Sequence, residues 1–344
     1  MPISIMDWIR SIMERLKPAS IFNHFPGFLV CVVVATAAQF ISEHYGAPVM
    51  LMALLLGMAL HFLSVEGRCM TGIQFCGRAV LRIGVALMGV RISASLLAVV
   101  GPWHIALLGV ALLLCIAFAM LLGRFLQVRK TFALLTGGAV AICGASAAMA
   151  IASVLPRHKD SEKNLLFTVV GVTVLSTVAM ILYPILAGQL FDTEAEIGFF
   201  LGATIHDVAQ VVGAGFSVSE NTGDIATLVK LIRVSLLAPV VVVIALAVRS
   251  LGRHTGSMGS RPPLLPGFVL GFLVLAALNS FDLIPVAITD GLGEISRWSL
   301  IIAISAVGMK TSLGEVMGIG RSAMILILAD TIFLAAVILG GLAL

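Results

Sequence analysis

"GATIHDVAQVVGAG" (Gly202–Gly215) sets His206, Asp207 and Gln210 inside an otherwise apolar run, with glycines at both ends. The rest of the chain makes that placement decisive. Of 344 residues, 60% are hydrophobic and 11% are charged, and mean hydropathy is +1.13, outside the usual range of a soluble globular domain. Apolar runs recur along the whole chain, and about 20 such residues cross a bilayer as a helix. The composition predicts an all-α polytopic membrane protein. Residues 1–25, basic and weakly amphipathic, are expected to form a cytoplasmic N-terminal segment, and residues 26–344 a single transmembrane domain.

Nine segments read as full spans: 26–42, 47–63, 76–92, 103–123, 164–189, 225–249, 264–281, 295–309 and 320–341. Two further apolar segments, 131–155 and 196–218, are interrupted by glycines and small polar residues, which lower helix propensity. Loop charge bears on how these two run, because positive loops favour the cytoplasm. If each dips into the membrane and returns, Gly123–Lys130, Pro156–Lys163 and Arg249–Arg261 all lie inside, and the acidic Asp192–Glu196 lies outside. That topology places the N-terminus in the cytoplasm and the C-terminus outside. The alternative, eleven spans with two broken crossing helices, moves Arg157, Lys159 and Lys163 outside.

An internal repeat points the same way. "LMGVRIS" (Leu87–Ser93) echoes "AVGMKTS" (Ala306–Ser312), pairing Gly89 with Gly308 and Arg91 with Lys310. "GAVAICGASAAMA" (Gly138–Ala150) lies over "GATIHDVAQVVGA" (Gly202–Ala214), and "TVVGVTVLS" (Thr168–Ser176) over "KLIRVSLLA" (Lys230–Ala238). The halves, about 47–190 and 196–341, carry the elements in permuted order. In the nine-span topology every pair is inverted, an arrangement common among secondary transporters.

Non-helical backbone survives at membrane depth where it is buried in protein or lines a wet cavity. Two broken segments entering from opposite faces bring their tips together, and short helices starting there aim N–H groups at an anion. On this reading the substrate site comprises Gly138, Cys143, Gly144 and Ser146 from the first segment, opened by Thr136 and Gly137. His206, Asp207, Gln210, Gly213 and Gly215 come from the second. Ionisable groups inside membrane segments are functional candidates by default, and histidine suits a proton-coupled step. Bracing of the second segment by His206 and Asp207 is the competing reading. Arg82 and Arg233 are candidates for attracting the anion, whereas Arg78 and Lys230, near span ends, read as interface anchors.

Other classes find less support. The net charge of +4 fits cytoplasmic loops better than nucleic-acid binding. The five cysteines show neither metal spacing nor a disulfide pattern, so no metal or other cofactor is expected. Enzyme signatures of the HExxH, GxSxG and P-loop kinds are absent, which leaves Cys143 meeting His206 as the one hydrolase-like option.

Together "GGAVAICGASAAMA", "LGATIHDVAQVVGAG", "LVKLIRVSLLAPVV" and "AVGMKTSL" resemble the YeiH-type family of bacterial inner-membrane proteins, from about Pro26 to the C-terminus. The family's name assigns it sulfate export. Its grouping with cation:proton antiporters and anion transporters implies an inverted-repeat fold with two broken elements at the site. No binding residues carry over from the resemblance. The expected function is therefore gradient-coupled export of a small oxyanion, sulfate or sulfite, with a proton or sodium as coupling ion. The expected partners are the lipid bilayer and a small inorganic anion, with homo-oligomers left open. A cation:proton antiporter using Asp207, an intramembrane enzyme and a non-transporting membrane protein are the alternatives.

Overall fold

The computed structural model describes residues 18–45, 47–92, 94–156, 158–250, 267–281, 283–311 and 321–343. Met1–Lys17, Arg157, Ser93, Ser312 and most of the basic loop 249–261 lie outside the described residues. Among the described residues all regular structure is helical; besides the single turn Phe62–Val65, the helices are α1 (Pro18–Tyr45), α2 (Val49–Ala59), α3 (Met70–Arg91), α4 (Ala94–Phe125), α5 (Lys130–Ala141), α6 (Ala145–Val154) and α7 (Ser161–Leu190). After these come α8 (Glu194–Thr204), α9 (Val208–Phe216), α10 (Glu220–Ser235), α11 (Leu237–Ser250), α12 (Gly267–Ser280), α13 (Val286–Lys310) and α14 (Arg321–Leu342).

The chain is a multi-span membrane protein, but helix length does not reproduce nine full spans. Seven of the described helical runs are long and apolar enough to cross a bilayer, with α10 and α11 counted as one run. Among the described residues the segment 47–63 gives α2, with 11 residues, followed by the single turn Phe62–Val65, and the segment 264–281 gives α12, with 14. At about 1.5 Å per residue these fall short of a hydrocarbon core of about 30 Å. Beyond α2 the chain turns into polar contacts: His61 Nδ1 and Ser64 Oγ each meet the Met309 carbonyl at 2.7 Å. The expected span 225–249 is divided at Leu236, just before Pro239, which lacks the N–H that a continuous helix needs there.

The fold comprises two compact units, residues 1–84 with 297–311 and residues 85–296 with 312–344, the division falling inside α3 and α13. In the first unit, Gly57 of α2 and Gly308 of α13 face each other so closely that a Cβ on either would lie 3.1 Å from the other's Cα. Ser305 Oγ of α13 lies 3.1 Å from the Cys31 carbonyl of α1 and 2.8 Å from that of Ile302, so its hydroxyl is shared between the two helices. In the second unit, Gly89 of α3 lies against α12, where a Cβ would come within 3.1 Å of Leu275 Cβ. The matched glycines of the sequence repeat thus each pack on the short helix of the opposite half. The pattern continues in the second unit, where α4 packs on α5 while α14 packs on α8.

Candidate functional site

Both interrupted segments are broken helices lying within the second unit. The first breaks over Ile142–Gly144. Gly144 has φ +64° and ψ −123°, a conformation that the absence of a Cβ makes accessible. The second breaks over Ile205–Asp207 with extended backbone and no positive φ. Its interruption is therefore made by side chains. Asp207 Oδ1 caps α9 by accepting from the Ala209 amide at 2.8 Å, and Ser176 Oγ of α7 accepts from the His206 and Asp207 amides, both at 3.1 Å.

The two breaks touch. A Cβ on Gly144 would sit 3.5 Å from His206 Cβ, an ordinary van der Waals contact. Around this point the last carbonyls of α5 and α8 converge, and two cations of α10 answer them. Lys230, fully buried, donates to Ile142 O at 2.7 Å and Ile205 O at 3.0 Å. Arg233 Nε donates to Ala141 O, Nη1 to Gly202 O and Ile205 O, and Nη2 to Val140 O and Ala141 O, over 2.7–3.3 Å. All five guanidinium donors are thereby matched. Helix C-termini carry a partial negative charge, roughly half an elementary charge each, so the cations complement dipoles as well as carbonyls.

Lys230 is thus a central residue and no interface anchor. The expected span put it near a membrane surface, but α10 starts at Glu220 and carries it almost three turns inward. Arg233 is also central, although its donors are engaged by backbone rather than free for a ligand. Arg82 is exposed and belongs to the other compact unit. Gly213 and Gly215 lie in the second half of α9 and are not brought to the break. Gly215 instead lets α9 approach α10, where a Cβ would lie 2.8 Å from Gly223 Cα. Gly138 likewise lies inside α5 and packs against Ile151 of α6. Cys143 is buried at the first break, and Ser146 is exposed in the first turn of α6.

His206 is fully buried, and its Nε2 lies 3.0 Å from Thr331 Oγ1. Because the Thr331 hydroxyl already donates to Ile327 O at 2.8 Å, the ring must be the donor in this pair. The ring therefore carries a proton on Nε2, and Nδ1 has no hydrogen-bond partner. Gln210 donates to Thr177 Oγ1 at 2.7 Å while its Oε1 is unpartnered. Because Nδ1 has no partner, Cys143 Sγ is not hydrogen-bonded to His206 in this conformation.

Sequence reasoning missed Asp330 and Thr331 of α14 and Ser176 and Thr177 of α7. Asp330 is fully buried, and neither carboxyl oxygen has a hydrogen-bond partner. The rule that singled out Asp207, an ionisable group inside an apolar span, applies equally to "LILADTIFLAAV" (Leu326–Val337). Among the described residues no group of three or more His, Cys, Asp or Glu side chains is placed to hold a metal ion.

A protein-family model described as conserved hypothetical protein 698 matches residues 26–327. The UPF0324 membrane protein TauZ of Paracoccus pantotrophus is 60% identical over 319 residues, covering 92% of this chain and 94% of that protein. A UPF0324 membrane protein of Rhizobium meliloti (strain 1021) is 56% identical over 339 residues, 98% of both chains. Another from Chlorobaculum tepidum is 48% identical over 320 residues, covering 93% and 89%. No solved structure matches.

Proposed function

We propose that this chain, which belongs to the conserved hypothetical protein 698 family and is homologous to the UPF0324 membrane proteins, is a gradient-coupled secondary transporter. Its substrate is a small oxyanion, sulfate or sulfite, exported across the bacterial inner membrane. The observation that carries this reading is the meeting of two helix breaks over two buried cations. Asp207 caps the N-terminus of α9, whereas α6 starts at Gly144 with no side-chain cap. The first-turn amides of α6 and the exposed Ser146 hydroxyl are left for an anion beside Lys230, in the role that the Asp207 carboxylate fills at the other break.

Charge supports the same sign of substrate. Lys230 and Arg233 face two helix C-termini, two helix N-termini and the Asp207 carboxylate. With about half a charge at each terminus, the crossing retains a charge of about +1. That balance suits a singly charged oxyanion, or a doubly charged one that travels with a proton. In the accompanying topology the N-terminus and residues 156–163 are cytoplasmic, the C-terminus is periplasmic, and both broken segments return to the face they entered.

Two carboxylates, Asp207 and the unpartnered Asp330, favour one second reading, a cation:proton antiporter. Flux of labelled oxyanions into proteoliposomes at two pH values separates the two. Saturable movement of sulfate or sulfite is the expected result. Sodium movement that Asp207→Asn abolishes, with sulfate immobile throughout, would replace it with the antiporter.

A further inference from the structure

Asp330 is a buried carboxyl group that the oxyanion site does not use. α14 presses it among α4, α5, α7 and α8. Cys115 of α4 bonds to its backbone carbonyl, with Sγ 3.8 Å from the oxygen. Thr136 of α5 is the polar side chain beside its carboxyl group. The other titratable or charged groups near it are His206, reached through Thr331, and Arg233, which lies past Cys115. Among the described residues no cation stands within salt-bridge distance of either oxygen.

Hydrogen accounting limits what Asp330 can be in this conformation. The Thr136 hydroxyl donates to Ala133 O at 3.0 Å, so toward Asp330 it offers a lone pair and no proton. A carboxylate would find neither donor nor counter-ion there, an expensive state in a dry interior. A protonated carboxyl group carries no charge to be matched there.

We infer that Asp330 is the proton-coupling site of this transporter, loaded as the acid in the conformation described and unloaded when the Thr136 hydroxyl turns from Ala133 O toward it. On unloading, the carboxyl O–H bond breaks and the proton passes to water on the side to which the site opens. The Thr136 O–H then bonds to the carboxylate left behind. Asp330 stands on the last helix, packed against the first arms of both broken elements, so its charge state acts on the helices that meet at the oxyanion site. This inference rests on the transport reading given above.

Wild type and Asp330→Asn are reconstituted in proteoliposomes, and sulfate flux under an imposed pH gradient is compared with exchange at equal pH. The ratio of driven flux to exchange should fall about tenfold or more in the variant, the scale of ordinary coupling free energies. A ratio that survives in Asp330→Asn, or a wild type with no gradient response, overturns the inference. If neither protein moves any oxyanion, the transport reading fails, and infrared spectroscopy still decides the state of Asp330. A protonated-carboxyl carbonyl band at neutral pH that is present in the wild type and missing in Asp330→Asn upholds the loaded acid; no difference between them overturns it. Should Asp330→Asn not fold, Thr136→Val replaces it. That variant must displace the pH at which the band is lost, and an undisplaced band overturns the inference.

Discussion

At the scale of single residues, Lys230 is the side chain whose surroundings say most about the site. It joins the two breaks by donating to Ile142 O and Ile205 O. Lys230→Met keeps much of the side chain's bulk and removes both bonds. Ile205 O keeps its bond from Arg233 Nη1, which leaves Ile142 O as the buried acceptor without a partner. One such acceptor costs about 1–3 kcal/mol, read as a lower unfolding temperature of the purified protein in detergent. An unchanged unfolding temperature would show that neither bond contributes. In the sequence Lys230 looked peripheral because the span was drawn from 225, and hydropathy drops the polar turn "ENTGD" from the helix. Asp330 shows a different shortfall, since its single charge in a strongly apolar span did not disturb the reading of that span.

At the scale of elements, the two broken helices look alike in sequence and are built differently. Glycine at the first break supplies a backbone conformation, whereas the second relies on Asp207, Ser176 and the packing of His206. The two substitutions of Asp207 therefore separate its roles. Asp207→Asn retains a good N-cap, and Asp207→Ala loses about 1 kcal/mol of helix stability. The expected order of unfolding temperatures is wild type close to Asp207→Asn and both above Asp207→Ala. If Asn and Ala destabilise equally, the charge beside Lys230 is the contribution and the cap is not. The existence and approximate centres of both breaks were legible from interrupted hydropathy and small residues. The roles of their glycines were not. Gly213 and Gly215 read as freed backbone, but both lie inside α9, and Gly215 serves the close approach of α9 to α10, a tertiary fact invisible in local pattern.

At the scale of the whole molecule, the class and the repeat were legible, because bilayer solvation imposes long apolar helices and the repeat leaves matched glycines. Span number was less so, since apolar length does not say where a helix ends; α2 and α12 stop where polar contacts or turns compete. Loop charge remains the guide to sidedness. A single cysteine in place of Lys159, in an otherwise cysteine-free background, should stay unlabelled by an impermeant thiol reagent added to intact cells and react once the membrane is opened. Labelling in intact cells would place residues 156–163 outside and turn the first broken element into a crossing.

The most direct test of function is counterflow of labelled sulfate or sulfite in proteoliposomes preloaded with the unlabelled anion. Transient accumulation of label that requires both the protein and the internal anion is the expected result. Label that never exceeds the level in protein-free vesicles, for sulfate and sulfite alike, would contradict oxyanion transport at the meeting of the two broken helices.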